Sequence, residues 1–305
     1  MWLILAFISA ALLGFYDVFK KQSLRDNAVI PVLLLNTLFC SLIFLPCIIG
    51  SAQGWMTEGS LLYTHQYGWA EHRYIILKSF IVLSSWLCAY FSIKHLPLTI
   101  IGPINATRPV MVLVGAMTIF AEHLNFWQWL GVITALIGIE LLKKTSKREG
   151  INWWHDKWIY FAILANVLGA VSGLYDKYLM ASPDNGGIGL DRIAVQAWYN
   201  IYQFFMMLVM LVCLWWPTRK KTTPFHWQWS ILGISVFLSV ADFAYFYALG
   251  LDGAMISIVS MIRRGSVIVS FLFGALLLHE KNLRAKFFDL MLVLLSMLFL
   301  YLGSK

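Results

Sequence analysis

Charged residues are scarce in this sequence. They make up 12% of its 305 residues, whereas hydrophobic residues make up 60% and the mean hydropathy is +0.74. Soluble domains are about 25% charged and about half apolar. A chain of this length cannot cover so much apolar surface in water, so the composition excludes a soluble domain. It predicts an all-α polytopic membrane protein.

Cysteine is rare, and histidine never clusters. The four cysteines lie in apolar runs without CxxC spacing, and the seven histidines are scattered without metal-ligand spacing. We therefore expect no cofactor and no metal. The sequence also lacks the aspartate-rich cluster expected of an integral-membrane enzyme that acts on lipid-linked substrates, and it lacks a re-entrant filter sequence of the channel kind. These two classes are the alternatives to a transporter.

Long apolar runs account for most of the chain. Because a helix needs about 20 mostly apolar residues to cross the hydrocarbon core, the runs predict ten spans: 2–20, 29–50, 75–93, 97–120, 126–143, 158–180, 193–216, 229–250, 253–278 and 284–303. The first run has no basic residues before it and no cleavage site, so we expect it to remain as a helix.

Lysine and arginine are divided unevenly between the two sides of these spans. Fifteen lie in the loops after odd-numbered spans and five lie on the other side. Cytoplasmic loops carry the excess of basic residues, so the count places both termini outside. The basic residues of these loops account for the net charge of +8, so no nucleic-acid partner is expected.

The two halves of the chain repeat one another. At an offset of 155 residues, Tyr90 matches Tyr245 and Arg108 matches Arg263. At an offset of 159 residues, five identities fall in the twelve positions 6–17: Ala6, Ala11, Gly14, Tyr16 and Asp17 match Ala165, Ala170, Gly173, Tyr175 and Asp176. Five spans is an odd number, so the second half must enter the membrane from the opposite side. The pattern predicts two inverted five-helix repeats, 1–145 and 158–305, joined by a linker over 146–157, around a central cavity.

Two predicted spans carry an arginine near their centres. Arg108 and Arg263 each lie about eleven positions into a span, or about 16 Å deep. An arginine at that depth costs about 2.5–3.5 kcal/mol on insertion scales, which calls for a function. We predict that both bind an anionic group of the substrate, because a guanidinium group matches a carboxylate or a phosphate. The alternative is a structural ion pair with Asp242.

Further polar residues complete the predicted site. Arg264 points about 100° round the helix from Arg263, so one arginine can pair with Asp242 while the other faces substrate. The sequence does not say which. The other candidates for substrate binding are Asn105, Ser257, Ser260, Tyr90 and Tyr245.

Asp17 and Asp176 occupy the last turns of predicted spans 1 and 6. Because the halves are inverted, these carboxylates should lie towards opposite membrane faces, where each could close a gate. The alternative is an interfacial carboxylate beside Lys20 or Lys177. Gln196, Asn200 and Gln203 form one helical stripe, for which interhelical hydrogen bonding is the favoured interpretation over ligand binding.

The ends of spans 4 and 9 resemble a known family. Glu122-His123-Leu124 and Glu280-Lys281-Asn282-Leu283, with Phe-Gly-Ala-Leu-Leu-Leu-His before Glu280 and two five-span halves, resemble EamA transporters of the drug/metabolite transporter superfamily. The resemblance implies a secondary transporter of small metabolites, often an exporter, whose cavity is lined by spans 1, 3, 4, 6, 8 and 9. Its nucleotide-sugar-carrying relatives are usually drawn with cytoplasmic termini, opposite to the charge count.

Taken together, these features predict a secondary transporter rather than an enzyme. The expected substrate is a small anionic or zwitterionic metabolite, such as an amino acid, an organic acid or a phosphate-like compound, and export is favoured over import. The expected partners are the lipid bilayer and a coupling proton or ion, and the chain is expected to act as a monomer or homodimer in a bacterial plasma membrane.

Overall fold

The computed structural model describes residues 2–60, 62–111, 125–147, 155–180, 183, 186–249, 262–277 and 283–303. In these residues the regular structure is helical and no strand is present. A π-helical turn, Leu211–Trp215, lies between the helices Arg192–Met210 and Trp216–Thr218. The helices are α1 (Trp2–Leu24), α2 (Val29–Ala52), α3 (Trp69–His95), α4 (Leu98–Ala106), α5 (Phe126–Lys147), α6 (Lys157–Met180), α7 (Arg192–Met210), α8 (Trp216–Thr218), α9 (Ser230–Leu249), α10 (Ser266–Leu277) and α11 (Leu283–Gly303).

Six helical stretches of the described chain are long and apolar enough to cross a membrane. They are Trp2–Leu24, Val29–Ala52, Trp69–His95, Lys157–Met180, Arg192–Thr218 and Lys286–Gly303. The prediction of an all-helical polytopic membrane protein is therefore confirmed. The count of ten spans stays a prediction, since predicted spans 97–120 and 253–278 extend beyond the described residues.

Five pairs of packed helices match each helix of the first half of the chain with one of the second half. The pairs are α1 with α9, α2 with α7, α3 with α6, α4 with α10, and α5 with α11. The largest cluster of buried apolar side chains draws on both halves, with Leu33 and Ile93 from the first and Ile159 and Ile234 from the second. Contacts between the halves therefore form the core.

Polar bonds close one end of the helix bundle. Lys21 at the end of α1 donates to the carbonyl oxygens of Ile93 (2.5 Å) and Leu96 (2.7 Å), where α3 ends. Asn27 donates to the carbonyl oxygen of His226 (2.7 Å), and the His226 N–H donates back to Asn27 Oδ1 (2.9 Å). We call this the Asn27 end. It brings together the carboxyl ends of α1 and α3 and the segment before α9.

The opposite end, which we call the Tyr67 end, joins the start of α3 to the end of α6 and the start of α7. The Asp191 N–H donates to the Tyr67 hydroxyl oxygen (2.6 Å), and the Tyr175 hydroxyl donates to the Tyr74 carbonyl oxygen (3.3 Å). Burial raises the pKa of Tyr67, so its hydroxyl stays neutral at physiological pH and keeps its own proton to donate. Both ends of the bundle thus contain bonds between the two halves.

Candidate functional site

Two helix interruptions lie beside the arginines. α4 ends at Ala106, Thr107 forms a turn, and helix resumes from Arg108. Pro109 accounts for this break, because it has no N–H and its ring clashes with the preceding turn of a continuous helix. In the second half, Gly265 forms a turn between Arg264 and α10, with its N–H donating to the Ile262 carbonyl oxygen (2.8 Å). Arg108 and Arg264 therefore both adjoin irregular backbone.

Asn166 of α6 holds the first of these breaks together. The Arg108 Nε–H donates to Asn166 Oδ1 (3.0 Å). Asn166 Nδ2 donates in turn to the Ile104 carbonyl oxygen (2.7 Å) and to Thr107 Oγ1 (3.1 Å). The buried Asn166 amide thus bonds to polar groups at the helix interruption and also fixes the direction of the Arg108 side chain.

Gly169, one turn after Asn166, makes room for the Arg108 guanidinium group. A Cβ atom added at Gly169 would overlap the guanidinium carbon and both terminal nitrogens. The guanidinium therefore lies directly against the α6 backbone, on the face that also carries Asn166. Only glycine leaves that space.

The three arginines lie close enough to act on one another. The charges of Arg264, Arg263 and Asp17 all reach Arg108. All three arginines are half-buried, so each keeps surface that a ligand could contact. Neither Arg108 nor Arg264 forms an ion pair with any carboxylate in the described part of the chain. The cluster therefore carries excess positive charge.

Arg263 differs from the other two because Asp242 of α9 pairs with it. The side chains of Arg263 and Asp242 are 16% and 12% exposed and form an ion pair. The Arg263 guanidinium carbon also lies 4.3 Å from the centroid of the Tyr245 ring. The sequence left open which arginine would take Asp242, and the structure gives that partner to Arg263. Among the described residues, Arg264 is therefore the second cation, beside Arg108, without a carboxylate as an ion-pair partner.

Among the other predicted substrate-binding residues, Asn105 is half-buried in α4, three residues before Arg108, and Tyr245 contacts Arg263. Tyr90 is 0% exposed, and its ring centroid lies 5.3 Å from Lys20 Nζ. Ser257 and Ser260 lie outside the described residues.

Asp17 lies deeper than the sequence indicated. The first span was expected to end at residue 20, but α1 continues to Leu24, which puts Asp17 seven residues before the end of the helix. Lys20 in this stretch of the helix is buried: it pairs with Asp17 (2.7 Å) and lies 4.1 Å from the centroid of the Tyr16 ring. A carboxylate and an aromatic face together offset the cost of a buried ammonium group.

Asp176 lies in the last turn of α6 and pairs with a residue that the sequence did not single out. Its partner is Lys78 of α3, a buried lysine whose Nζ also lies 5.2 Å from the centroid of the Tyr199 ring. The side chain of Lys177, the partner considered from sequence, lies outside the described set. Asp17 thus pairs within its own helix, whereas the Asp176 pair joins α6 to α3.

Sequence reasoning missed Asn166, Gly169 as a contact of Arg108, and Lys78. Asn166 carried a signal that could have found it: an amide in the middle of an apolar span, one helical turn from a glycine. Lys78 lies near the start of predicted span 75–93 and was counted as a basic residue of the flanking region. Its partner lies 98 residues away, so no local pattern could indicate it.

Comparison with known proteins agrees with this architecture. The chain is similar to a protein of known crystal structure at 13% sequence identity and a TM-score of 0.58, over 96% of this chain and 98% of the other. At that identity the likeness concerns the fold alone. The EamA-like transporter family, whose members are membrane transporters, matches residues 1–143. The match covers 143 of the 305 residues, and the matched family belongs to the drug/metabolite transporter superfamily.

Proposed function

We propose that this protein is a secondary transporter that exports a small metabolite carrying a carboxylate or phosphate group. The observation that supports this most is the excess of positive charge around Arg108, Arg263 and Arg264. Only Arg263 has a described carboxylate as an ion-pair partner. Two unneutralised guanidinium groups near the middle of the membrane are costly unless an anion joins them.

The chemistry of the cluster favours a carboxylate or a phosphate. A guanidinium group presents its donors as a planar fork that matches two oxygens of either group. Among the described residues, Asn166 accepts a hydrogen bond from Arg108, and it uses only the Nε–H. The two terminal nitrogens of Arg108 are left for a ligand. The substrate anion would then lie between Arg108 and Arg264, because Arg263 is already paired with Asp242.

The helix pairing supports two inverted repeats, 1–145 and 158–305, linked by 146–157. The first helix of the first half (α1) packs on the third helix of the second half (α9), and the third helix of the first half (α3) packs on the first of the second (α6). Such reciprocal contacts are the mark of a two-fold relation between units. In inverted-repeat transporters the binding site lies at the interface near the midplane.

Alternating access requires one closure on each side of the site. At the Tyr67 end the Lys78–Asp176 ion pair joins α3 to α6, so it would have to break when that end opens. At the Asn27 end the bonds of Asn27 with His226 join the halves, and Asp17 keeps its pair with Lys20 inside α1. The excess of basic residues puts the Asn27 end in the cytoplasm of a bacterial plasma membrane.

Asp17 and Asp176 are then the groups that we expect to respond to a coupling proton or ion. The protein would act as a monomer or homodimer within the bilayer.

The first experiment is thermal unfolding of the purified protein in detergent with anionic, zwitterionic and neutral metabolites. Ligand at about 100 times its Kd stabilises the folded state by about 2.7 kcal/mol. We expect anions to raise the Tm of the wild type and of Arg219→Gln, an exposed control, but not of Arg108→Gln or Arg264→Gln. Stabilisation by neutral or lipidic compounds alone, or unchanged anion binding in both site variants, would refute the proposal.

A further inference from the structure

The helix α7 is polar on its buried side and apolar on its outer side. Gln196, Asn200 and Gln203 are all buried, whereas Phe205 and Val209 are exposed. In membrane proteins such amides commonly bind neighbouring helices through hydrogen bonds. Hydrogen bonds to neighbouring helices would therefore be the ordinary role of this stripe.

Several amide atoms of the stripe and of α2 have no hydrogen-bond partner in the described structure. Asn200 Nδ2 donates to the Gln196 carbonyl oxygen of its own helix (2.9 Å). Gln203 is 0% exposed, and within the described structure neither its Oε1 nor its Nε2 has a hydrogen-bond partner. Asn36 of α2, also 0% exposed, accepts from Ser235 Oγ (3.0 Å), but its Nδ2 likewise has no described partner. Hydrogen bonds between the described helices therefore account for the Asn36 oxygen but not for Asn36 Nδ2 or for the Gln203 amide, and buried amide groups without partners are costly.

The amides lie on helices that pack against the arginine site. Ser235, which donates to Asn36, lies two turns before Asp242 on α9, and Asp242 pairs with Arg263. The helix α7, which carries Gln203, packs on α2, which carries Asn36. Gln203 is eleven residues into α7, or about 16 Å deep, which matches the expected depth of the arginines.

Three carboxylates in the described part of this region are already paired. Asp17 pairs with Lys20, Asp176 with Lys78, and Asp242 with Arg263. A substrate ammonium group would need a carboxylate free of such a partner, and these three do not provide one. The amides offer a donor and an acceptor, which is the combination that a hydroxyl group needs.

We propose that the amides of Gln203 and Asn36 bind hydroxyl groups of the substrate, so that the substrate is a hydroxylated anion, such as a hydroxy acid or a polyol phosphate. This inference rests on the proposed function, since the arginines hold the anionic group. It narrows the substrate to one whose second functional group is neutral, and it sets amino acids aside.

The test compares matched ligands by thermal stabilisation and by titration of the purified full chain. The phosphates are propyl phosphate, glycerol 3-phosphate and phosphoethanolamine, and the carboxylates are propionate, glycerate and alanine. In the wild type we expect the hydroxylated member of at least one series to bind about tenfold or more tightly than its deoxy analogue. In Gln203→Leu that preference should fall below about threefold, with the affinity for the deoxy analogue unchanged. Gln66→Leu, an exposed control, should keep the preference.

The outcomes separate this inference from the proposed function. If no anion binds, or if Arg108→Gln binds anions as the wild type does, the proposed function fails and this inference fails with it. If anions bind through Arg108 but the hydroxylated and deoxy ligands bind equally, or alanine or phosphoethanolamine binds most tightly, only the hydroxyl site is overturned. If Gln203→Leu does not fold, Asn36→Leu and the wild-type comparison decide the question.

Discussion

Gly169 offers a test of the arginine site that leaves every charged residue in place. In Gly169→Ala the new methyl group would occupy the position of the Arg108 guanidinium, so the guanidinium must move, and we expect it to lose its bond to Asn166. Gly173 lies one turn later on the same helix, and a methyl group there would meet nothing within 4 Å. The two substitutions are chemically identical and differ only in whether Arg108 lies opposite.

The structure sets the size of the expected difference. Replacing a glycine inside a helix by alanine stabilises the folded state by about 0.5–1 kcal/mol. We expect that gain for Gly173→Ala. In Gly169→Ala the same gain is opposed by the loss of a charged hydrogen bond, which contributes about 1.5–3 kcal/mol. The Gly169 variant should therefore be less stable than the Gly173 variant by about 1.5–3 kcal/mol, and less stable than the wild type.

The free energy of unfolding of both variants can be measured by denaturant titration in micelles, followed by anion binding to each. We expect Gly173→Ala to bind anions as the wild type does and Gly169→Ala to bind at least about tenfold more weakly. If Gly169→Ala is as stable as Gly173→Ala and binds anions equally well, the position assigned to Arg108 is wrong.

Two further predictions concern the ion pairs. Asp242→Asn leaves Arg263 without its carboxylate and should lower the free energy of unfolding by about 3–5 kcal/mol, whereas replacing both residues by leucine should recover most of that loss; equal losses in the single and double variants would argue against the pair. Lys78→Met should make a cysteine in place of Ser79, which is buried, more reactive to a membrane-impermeant thiol reagent in a cysteine-free background. Exchanging the charges, with Lys78→Asp and Asp176→Lys, should restore protection, and unchanged reactivity in Lys78→Met would show that this pair does not close the Tyr67 end.

Hydropathy was sufficient to locate the helices but not their ends. The second span was expected at 29–50, and α2 runs over Val29–Ala52, because nothing in that run departs from an apolar pattern. The third was expected at 75–93, and α3 begins six residues earlier, at Trp69. Polar residues such as Glu71 end an apolar run without ending a helix, since backbone hydrogen bonds continue past the edge of the membrane.

The candidate site was predictable where it depends on one residue and its depth, and unpredictable where it depends on contacts between helices. Spacing alone places Arg263 and Arg264 on different directions of one helix, but which of them meets Asp242 is decided by how α9 packs. The same holds for Arg108, since its contact with Gly169 joins residues 61 positions apart. Charge burial can be read from a sequence, whereas the choice of partner requires the tertiary structure.

The helix α3 links Lys21, which contacts its carboxyl end, to the ion pair of Lys78 near its start. The bonds of Lys21 to the carbonyl oxygens at the end of α3 fasten that helix to α1, and Lys78 lies on the same rigid rod 15 residues, or about 22 Å, away. In the alternating-access cycle that we propose, a swing of α1 away from α9 would tilt α3 and move Lys78 relative to Asp176. The stiffness of one helix would then couple the two closures, so that opening one end of the bundle would change the ion pair at the other.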